Sequence, residues 1–302
     1  MQAMILAAGF GTRLLPYTKF RPKPLFPLLN EPLLFLTIRR LQAAGFDHII
    51  VNCHYLREQI VSALAGLSGI IIQEEETVLG TGGGLRLALS NMRNEPLLVT
   101  NGDIYHTINY RELYRAHEAE KAVVTMAMHD YPRFNKVSVQ GDYVTGFDDQ
   151  QDGNLMAFTG LHVLEPDVLE HIPLKQEYSI IDRYREVLQE QKKIRALRVD
   201  DCSWTDMGTV KDYLSLHGRL LKKEIPLWEE FSDFPEDSFF VDDQASIGKG
   251  SLFQDWVCIG RAQLAPNSNL QRCVVWADAR VEEGTVYTDA LLVPDLSEIS
   301  RK

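Results

Sequence analysis

Apolar runs and amphipathic stretches follow one another along the chain as far as Leu221. Unbroken apolar runs of about four to eight residues are typical of strands buried on both faces of a sheet, and apolar residues three or four apart are typical of helices. The pattern predicts strands at Met4–Ala8, His48–Asn52, Ile70–Gln73, Pro96–Thr100, Ala122–Met128, Asn154–Leu164 and Arg195–Val199. It predicts helices at Leu33–Ala44, Leu56–Leu64, Leu85–Met92, 108–119, Tyr178–Gln191 and Val210–Leu221, and a hairpin over Asn135–Phe147.

Strands that alternate with helices at this spacing predict an α/β fold with a parallel sheet and helices on both faces. Ligands of such sheets bind beyond the carboxyl ends of the strands. The polar, proline-interrupted segment from Lys222 to Asp237 is predicted to be a linker. We therefore expect a main domain over 1–225, a linker over 226–238 and a small domain over 239–302.

The pattern changes in the small domain, where short apolar strands and turns recur at roughly six-residue steps. A repeat this short predicts a β-helix of roughly two or three coils. Hexapeptide acyltransferases usually rely on a histidine base, and no histidine follows His217. We expect the domain to be structural or to form oligomers, since open coil ends favour self-association.

Composition excludes several classes of protein. The 302 residues are 45% hydrophobic and 24% charged, with a net charge of -11, and no basic stripe points to nucleic acid. The four cysteines form no CxxC pair, so neither a zinc site nor a disulfide framework is expected. No apolar run reaches the roughly 18 residues of a membrane span, and the apolar start meets Gly-Phe-Gly too early for a signal peptide. We expect a cytoplasmic protein that does not bind membranes.

The first predicted strand runs into a loop whose residues suit a phosphate ligand. The stretch Leu6–Pro24 reads LAAGFGTRLLPYTKFRPKP. Gly9 and Gly11 let the backbone approach a ligand and present N–H groups to it, and the forked cation of Arg13 suits phosphate. Taken as glycines alone, the pattern is equally typical of a tight turn. It is neither a Walker A loop nor a good dinucleotide fingerprint.

The local charge also favours a phosphate ligand. The first 30 residues carry four basic side chains and no acidic one, although the whole chain is acidic. One of these cations, Lys23, lies between Pro22 and Pro24, which hold it in a stiff segment. A bound polyphosphate would explain the excess of positive charge.

Two further motifs place a carboxylate at the end of a predicted strand. Asp103 closes the sequence Asn-Gly-Asp after one strand, and Asp206 lies within Trp204–Thr209, which reads WTDMGT. Such carboxylates suit a hard divalent cation that also takes phosphate oxygens. The competing interpretations are a surface Asn-Gly turn for the first and a helix N-cap for the second.

The compound motif G-x-G-T-R with a downstream P-K-P resembles the opening signature of the sugar-1-phosphate nucleotidyltransferase family, LAAGxGTRLxPxTxxxPKP. The match runs through nearly every signature position of Leu6–Pro24. The resemblance implies a Rossmann-like, mostly parallel mixed sheet in a nucleotidyltransferase catalytic domain, followed by a small left-handed parallel β-helix of hexapeptide type. It implies a nucleoside triphosphate and a hexose 1-phosphate as substrates. It also implies Mg²⁺ held by Asp103 and Asp206.

The resemblance also assigns roles to single residues. Arg13, Lys23 and Asp103 are the implied catalytic residues. The implied nucleotide-binding residues are Leu6, Ala7, Ala8, Gly9, Gly11, Thr12, Arg13, Gln73, Glu76, Gly80, Thr81 and Gly82. The implied sugar-phosphate residues are Lys23, Asn154, Thr159 and Gly160. One departure matters: many relatives carry Glu-Lys-Pro where this chain has Phe147-Asp148-Asp149-Gln150-Gln151, so the residue that clamps the sugar phosphate is open.

Several functions remain open at this point. The β-helix tail favours enzymes similar to mannose-1-phosphate guanylyltransferase. The Gly80–Gly84 cluster and the absent Glu-Lys-Pro favour the branch similar to N-acetylmuramate-1-phosphate uridylyltransferase. A non-catalytic sensor of nucleotide sugars is an alternative, but such proteins tend to lose the Arg, Lys or Asp positions kept here. A nicotinamide-dependent oxidoreductase would need an acidic residue at the end of the second strand to bind the ribose. This chain has Asn52-Cys53-His54 there, which disfavours that function.

Overall fold

The computed structural model describes residues 1–120, 122–147, 154–231 and 237–294. The chain folds into two compact units. Unit 1 comprises Met1–Phe10, Thr37–Gly102 and His106–Trp204, and unit 2 comprises Gly11–Leu36, Asp103–Tyr105 and Thr205–Lys302. The bounds of these two units differ from those of the expected domains at 1–225 and 239–302, and the expected domains stay a prediction. Residues 232–236 of the expected linker and 295–302 of the small domain lie outside the described residues.

Strands and helices are numbered in chain order. The strands up to residue 206 are β1 Gln2–Leu6, β2 Pro27–Leu28, β3 Glu31–Pro32, β4 His48–Cys53, β5 Ile70–Glu74, β6 Leu97–Asn101, β7 Ile104–His106, β8 Val124–His129, β9 Asn135–Gln140, β10 Tyr143–Gly146, β11 Asn154–Leu164, β12 Ile194–Arg198 and β13 Trp204–Asp206. The later strands are β14 Phe239–Val241, β15 Ser246–Ile247, β16 Leu252–Ile259, β17 Gln263–Leu264, β18 Asn269–Val275, β19 Arg280–Val281, β20 Val286–Thr288 and β21 Leu291–Leu292. The helices are α1 Leu33–Ala43, α2 Arg57–Leu64, α3 Gly80–Ala88, α4 Tyr110–Glu118, α5 Asp167–Glu170, α6 Ile180–Gln189 and α7 Val210–Leu221.

Unit 1 is built on a mixed sheet of nine strands in the order β5-β4-β1-β6-β11-β8-β12-β10-β9. The pairs within β5-β4-β1-β6 are parallel, as the alternation of strands and helices predicts. β11 runs antiparallel to β6, β8 and β9. Ala3, Met4 and Ile5 in β1 are fully buried, which accounts for their unbroken apolar run. The predicted α/β class with a mixed sheet is confirmed.

The N-terminus of α3 differs from the prediction. The sequence predicts a helix from Leu85 because glycine has a low helix propensity. In the structure α3 already begins at Gly80, and the N–H groups of Gly82 and Gly83 donate to the carbonyl oxygen of Tyr178 at 2.8 and 3.2 Å. Packing against this neighbouring segment therefore outweighs the intrinsic preference of the glycines.

Unit 2 combines the residues that follow β1 with α7 and the C-terminal strands. β14, β16, β18 and β20 pair in parallel in one sheet, and β15, β17 and β19 form another. Leu252 pairs with Asn269, and Asn269 pairs with Val286, so β16, β18 and β20 stack in register. The predicted left-handed β-helix of hexapeptide type requires stacking of this kind and stays a prediction.

Helix α7 packs on these C-terminal strands. The indole Nε1 of Trp276 donates to the hydroxyl of Tyr213 at 3.1 Å. A Cβ on Gly218 would lie 2.7 Å from Nε1 of Trp256, so the helix can approach this indole only because residue 218 is glycine. Within the described part of the chain, no helix is long and apolar enough to cross a membrane.

Candidate functional site

The loop after β1 turns sharply at Gly11, whose φ is 63°. A Cβ at Gly11 would lie 2.8 Å from Cγ2 of the buried Thr18, and the Thr18 hydroxyl donates to the Gly11 carbonyl at 3.2 Å. The turn continues as one turn of 3-10 helix over Thr12–Leu14. Within the described residues, no hydrogen bond occupies the N–H groups of residues 9 to 12. These groups are therefore available to an anion, as the glycine pattern predicts.

Lys23 is held by its two flanking prolines at the start of a 3-10 turn over Lys23–Leu25. Its side chain is only 8% exposed, and Nζ forms an ion pair with Oδ2 of Asp103 and lies 3.5 Å from Oδ1 of Asp206. The three predicted residues are thus brought into one ion-pair cluster in unit 2.

Arg13 joins this cluster from the other side of Asp206. Its guanidinium lies 3.4 Å from Oδ2 of Asp206, while more than half of the Arg13 side chain is exposed. Asp206 itself is 14% exposed and belongs to β13, and the N–H of Met207 donates to the carbonyl of Asp103 at 3.3 Å. We call Arg13, Lys23, Asp103 and Asp206 the charged cluster.

The charged cluster fits a divalent cation that binds together with phosphates. Asp103 and Asp206 offer two carboxylates that approach the same ammonium, so both are oriented towards one positive charge. Mg²⁺ accepts one or two protein carboxylates and completes its octahedron with waters and substrate phosphate oxygens. Among the described residues, no group of three or more His, Cys, Asp or Glu is placed to hold a metal alone. Two carboxylates without further protein ligands are therefore the kind of donor set that Mg²⁺ uses when it also binds water and phosphate.

The predicted base-edge residues lie in unit 1. Gln73 is 5% exposed, and its Nε2 donates to the carbonyl of Gly84 at 2.9 Å. Glu76 is exposed. Thr81 accepts the N–H of Ile180 through its hydroxyl at 3.0 Å. Contacts of Gln73, Glu76, Gly80, Thr81 and Gly82 with a base stay predictions.

The glycines of α3 are closely packed by protein atoms. A Cβ on Gly83 would lie 2.5 Å from the Gln176 carbonyl oxygen, and one on Gly82 would lie 3.0 Å from the N atom of Ile180. The N–H groups of Gly82 and Gly83 both donate to the carbonyl oxygen of Tyr178. Their absent side chains make room for this neighbouring segment.

The predicted sugar-phosphate residues lie along β11. Asn154 is exposed at its start, and Gly160 has a φ of 81°, with Asn101 Nδ2 only 2.4 Å from the position of a Cβ. Thr159 is 1% exposed, and its hydroxyl donates to Ala127 O at 2.9 Å. The Thr159 hydroxyl therefore forms a hydrogen bond within the sheet, and a contact between Thr159 and a sugar stays a prediction. Of the five residues from Phe147 to Gln151, where many relatives carry Glu-Lys-Pro, residues 148–151 lie outside the described residues.

Sequence reasoning missed two buried polar residues of unit 1. Asn52 and Glu75 are 2% and 1% exposed, and Nδ2 of Asn52 donates to Oε1 of Glu75 at 2.7 Å. The only signal was a polar residue ending the run of apolar residues in β4 and a run of three glutamates after β5. Neither signal says which side chains point inward.

A scan against protein-family models matches residues 2–223 to the family described as nucleotidyl transferase. The match covers more than half of the chain. The chain belongs to this family.

Curated relatives extend the match beyond this domain. A mannose-1-phosphate guanylyltransferase of Mycobacterium tuberculosis is 29% identical over 300 residues, which cover 95% of this chain and 82% of the relative. A mannose-1-phosphate guanyltransferase of Pichia angusta is 31% identical, with 83% of this chain and 74% of the relative covered. A UTP–glucose-1-phosphate uridylyltransferase of Synechocystis is 29% identical, with 74% and 64% covered. Relatives with several nucleotidyltransferase activities therefore resemble this chain.

Solved structures support the fold. The crystal structure of a putative glucose-1-phosphate thymidylyltransferase of Bacillus anthracis in complex with a sucrose superposes with a TM-score of 0.66 at 20% identity and covers 76% of this chain. The HddC protein of Yersinia pseudotuberculosis gives a TM-score of 0.60 at 22% identity and covers 71% of this chain. The two aligned regions comprise 98% and 97% of those chains, so their whole folds are represented here.

Proposed function

We propose that this nucleotidyltransferase joins a hexose 1-phosphate to a nucleoside monophosphate taken from a nucleoside triphosphate. A phosphate oxygen of the sugar 1-phosphate attacks the α-phosphorus in line. The bond between the α-phosphorus and the oxygen that bridges to the β-phosphate breaks, and pyrophosphate leaves with that oxygen. The nucleophile is already an anion, so the reaction needs positioning and charge neutralisation more than a general base.

The charged cluster supports this proposal more directly than any other observation. Arg13 is the exposed cation of the cluster and would bind the β- and γ-phosphates, since its fork suits phosphate oxygens. Lys23 is the buried cation and would neutralise the α-phosphate or the sugar phosphate. The free N–H groups of residues 9 to 12 would hold further phosphate oxygens.

Asp103 and Asp206 are proposed to release their hold on Lys23 in part and to bind Mg²⁺ when substrates enter. When bound, Mg²⁺ would neutralise negative charge on phosphate oxygens. The two carboxylates would hold the cation, and Lys23 beside them would supply a further positive charge to the phosphates. Gly208 leaves room for this arrangement, because a Cβ there would lie 2.6 Å from Oδ2 of Asp206.

GTP and mannose 1-phosphate are the proposed substrates, because relatives named for that pair match nearly the whole chain. UTP with glucose 1-phosphate or N-acetylmuramate 1-phosphate is the second candidate. The uridylyltransferase of Synechocystis supports a uridine nucleotide as substrate, because it is as similar in sequence to this chain, at 29% identity, as the guanylyltransferase of Mycobacterium tuberculosis. Self-association through the C-terminal strands is proposed from their parallel stacking, because the outer strands of such a stack can pair with another chain.

The test is pyrophosphate release in the presence of Mg²⁺, with GTP, UTP, dTTP, CTP and ATP each combined with a panel of hexose 1-phosphates. We expect release that depends on one base and one sugar phosphate, and loss of that release with EDTA. If no pair reacts while nucleotide sugars raise the melting temperature, the protein is a non-catalytic sensor and the proposal is wrong.

A further inference from the structure

Glu75 is a buried carboxylate that the proposed chemistry does not use. It follows β5 directly and is 1% exposed. Its Oε1 accepts Nδ2 of Asn52 at 2.7 Å, and its Oε2 accepts the N–H of Leu79 at 3.4 Å. Its backbone is held as well, because its N–H donates to the carbonyl of Cys53 at 2.8 Å. Among the described residues no lysine or arginine forms an ion pair with Glu75.

A buried carboxylate without a cationic partner lowers the stability of a fold, since burial removes it from water. Burial accordingly raises the pKa of Glu75, although the hydrogen bonds from Asn52, Leu79 and Gln73 act against this shift. Natural sequences accept such local penalties mainly where function requires them. The position of Glu75 between two predicted nucleotide-binding stretches would supply such a requirement.

Asn52 extends the contact from Glu75 to the end of β1. Its Oδ1 accepts the N–H of Ala7 at 2.7 Å, while its Nδ2 donates to Glu75. Ala7 immediately precedes Ala8 and Gly9, and Leu79 immediately precedes the start of α3 at Gly80. A continuous chain of hydrogen bonds therefore runs from one predicted nucleotide-binding stretch to the other, all within unit 1.

Helix α3 packs closely against this chain of hydrogen bonds and leaves no room for a side chain at Gly84. A Cβ on Gly84 would lie 2.8 Å from Oε1 of Glu75 and 3.0 Å from Nδ2 of Asn52. Gln73 adds a further donor, because its Nε2 lies 3.4 Å from Oε1 of Glu75. The helix thus presents a glycine where the Glu75 carboxylate and the Asn52 amide meet.

We propose that Glu75 is a positioning residue that holds Ala7–Gly9 and Gly80–Gly82 in the geometry that binds the nucleotide. The proposal rests on the proposed function for the identity of the ligand. Glu75 does not touch the reacting atoms. It acts through Asn52 and through the backbone of Leu79, so it governs nucleotide affinity and leaves hexose 1-phosphate affinity unchanged.

The variant Glu75→Gln tests the proposal because it keeps the shape of the side chain. Its amide group carries one acceptor where the carboxylate carried two, so it must face either Asn52 or Leu79 with a donor. We expect KM for the nucleoside triphosphate to rise about tenfold or more, KM for the hexose 1-phosphate to stay within about twofold, and the melting temperature to stay equal or rise. Glu74→Gln is the matched control, since the neighbouring Glu74 side chain is 54% exposed.

The double variant Asn52→Asp with Glu75→Gln tests the hydrogen bonds themselves. The introduced aspartate accepts both the Ala7 N–H and the introduced glutamine, whose carbonyl then accepts the Leu79 N–H. Donors and acceptors match again, and we expect nucleotide KM to recover most of its wild-type value. Asn52→Asp alone places two carboxylates face to face and is expected to weaken nucleotide binding.

Three results would overturn the proposal: unchanged nucleotide KM in Glu75→Gln, equal loss for both substrates together with a lower melting temperature, or no recovery in the double variant. Calorimetric titration with GTP and with UTP, without sugar phosphate, separates this proposal from the proposed function. A wild-type protein that binds nucleotide without turnover contradicts the proposed function, while weaker binding by Glu75→Gln still supports Glu75. Equal affinities, or no nucleotide binding by the wild type, contradict the role of Glu75.

Discussion

The guanidinium of Arg13 passes directly over Gly208, so closely that a Cβ on Gly208 would lie 2.5 Å from Nη1 of Arg13. The same Cβ would lie 2.6 Å from Oδ2 of Asp206, the carboxylate that Arg13 contacts. Gly208 thus leaves the space in which a cation and an anion of the charged cluster meet. Because Gly208 has no side chain, the Arg13 guanidinium and the Asp206 carboxylate can both lie at this position.

Gly208→Ala is expected to reduce kcat/KM by about tenfold to a hundredfold, because small displacements of positioned groups cost rates of that size. The atoms that the new methyl group meets are the ends of two side chains, which can move away. We therefore expect a change in melting temperature that is small beside the change in activity. Steady-state pyrophosphate release and thermal unfolding measure the two effects.

Gly248→Ala is the comparison for this variant. A Cβ there would lie 2.4 Å from the backbone carbonyl carbon of Ala265, which cannot move aside without shifting a strand. We expect this variant to lose stability while the folded protein keeps its kcat. Gly208→Ala with normal kcat/KM, or with the stability loss of Gly248→Ala, would show that the charged cluster does not need this space.

Lys23→Ala should lower kcat by about a hundredfold or more, because the buried ammonium is the cation that forms ion pairs with both carboxylates of the charged cluster. Without Lys23, Asp103 and Asp206 repel each other, and a divalent cation can take the place of the ammonium. We therefore expect Mg²⁺ without nucleotide to raise the melting temperature of Lys23→Ala more than that of the wild type. Thermal unfolding over a Mg²⁺ series measures this difference.

Lys19→Ala serves as the control, since Lys19 belongs to the neighbouring 3-10 turn and is exposed. It should keep both the wild-type rate and the wild-type response to Mg²⁺. A Lys23→Ala protein with a near-normal rate would remove Lys23 from the mechanism. An equal Mg²⁺ response in both variants would argue against metal binding by the two carboxylates.

The sequence predicted the members of the charged cluster but not the Glu75 network, and the reason is physical. The two motifs place Asp103 and Asp206 at the ends of predicted strands, and the carboxyl ends of parallel strands lie at one edge of a sheet, so the motifs alone predict a common ligand for the two side chains. Glu74, Glu75 and Glu76 are identical and consecutive. Only the packing of α3 decides which one is buried, and no periodic pattern carries that information.

The N-terminus of α3 could not be predicted for a related reason. Five residues from Gly80 to Gly84 include four glycines, which intrinsic propensity assigns to a loop. Their helical conformation depends on the segment around Tyr178, far away in the sequence, whose carbonyl binds two of their N–H groups. Local sequence rules do not include such a partner.

His217 should make unit 2 sensitive to acid. Burial lowers the pKa of His217 to about 4, and the ring is held neutral, with Nε2 accepting the N–H of Leu29 and Nδ1 donating to the carbonyl of Tyr213. In the unfolded chain the imidazole has its ordinary pKa of 6.5. Below that pH the unfolded state binds more protons than the folded state, so stability falls as the pH drops from 6.5 to about 4.

The size of this effect is about 3 kcal/mol, since each unit of pKa difference corresponds to about 1.4 kcal/mol. Urea unfolding between pH 4 and 7 measures it. His217→Gln should make the profile less steep in this range, because glutamine keeps an acceptor for the Leu29 N–H without titrating. His171→Gln, at an exposed histidine, should follow the wild-type profile. Parallel profiles for His217→Gln and the wild type would contradict the prediction.

Thr159 allows the predicted sugar contact to be separated from a structural role. Its hydroxyl donates to the carbonyl of Ala127 at 2.9 Å and accepts the N–H of Leu161 at 3.2 Å, and its own carbonyl accepts Nε1 of Trp204 at 2.9 Å. Thr159→Val keeps the shape but leaves a buried carbonyl and a buried N–H without this partner, at a cost of about 1–3 kcal/mol in the free energy of unfolding.

Thr159→Ser keeps the hydroxyl and should lose clearly less stability than Thr159→Val. If the hydroxyl serves only the sheet, KM for the hexose 1-phosphate in the folded protein stays the same in both variants, because the 1% exposed side chain offers no surface to a sugar. A KM that rises about tenfold in Thr159→Val alone, with little loss of unfolding free energy, would instead show that the hydroxyl binds the sugar phosphate and that β11 opens when the substrate enters. Urea unfolding and KM measured on the same preparations decide between these two roles.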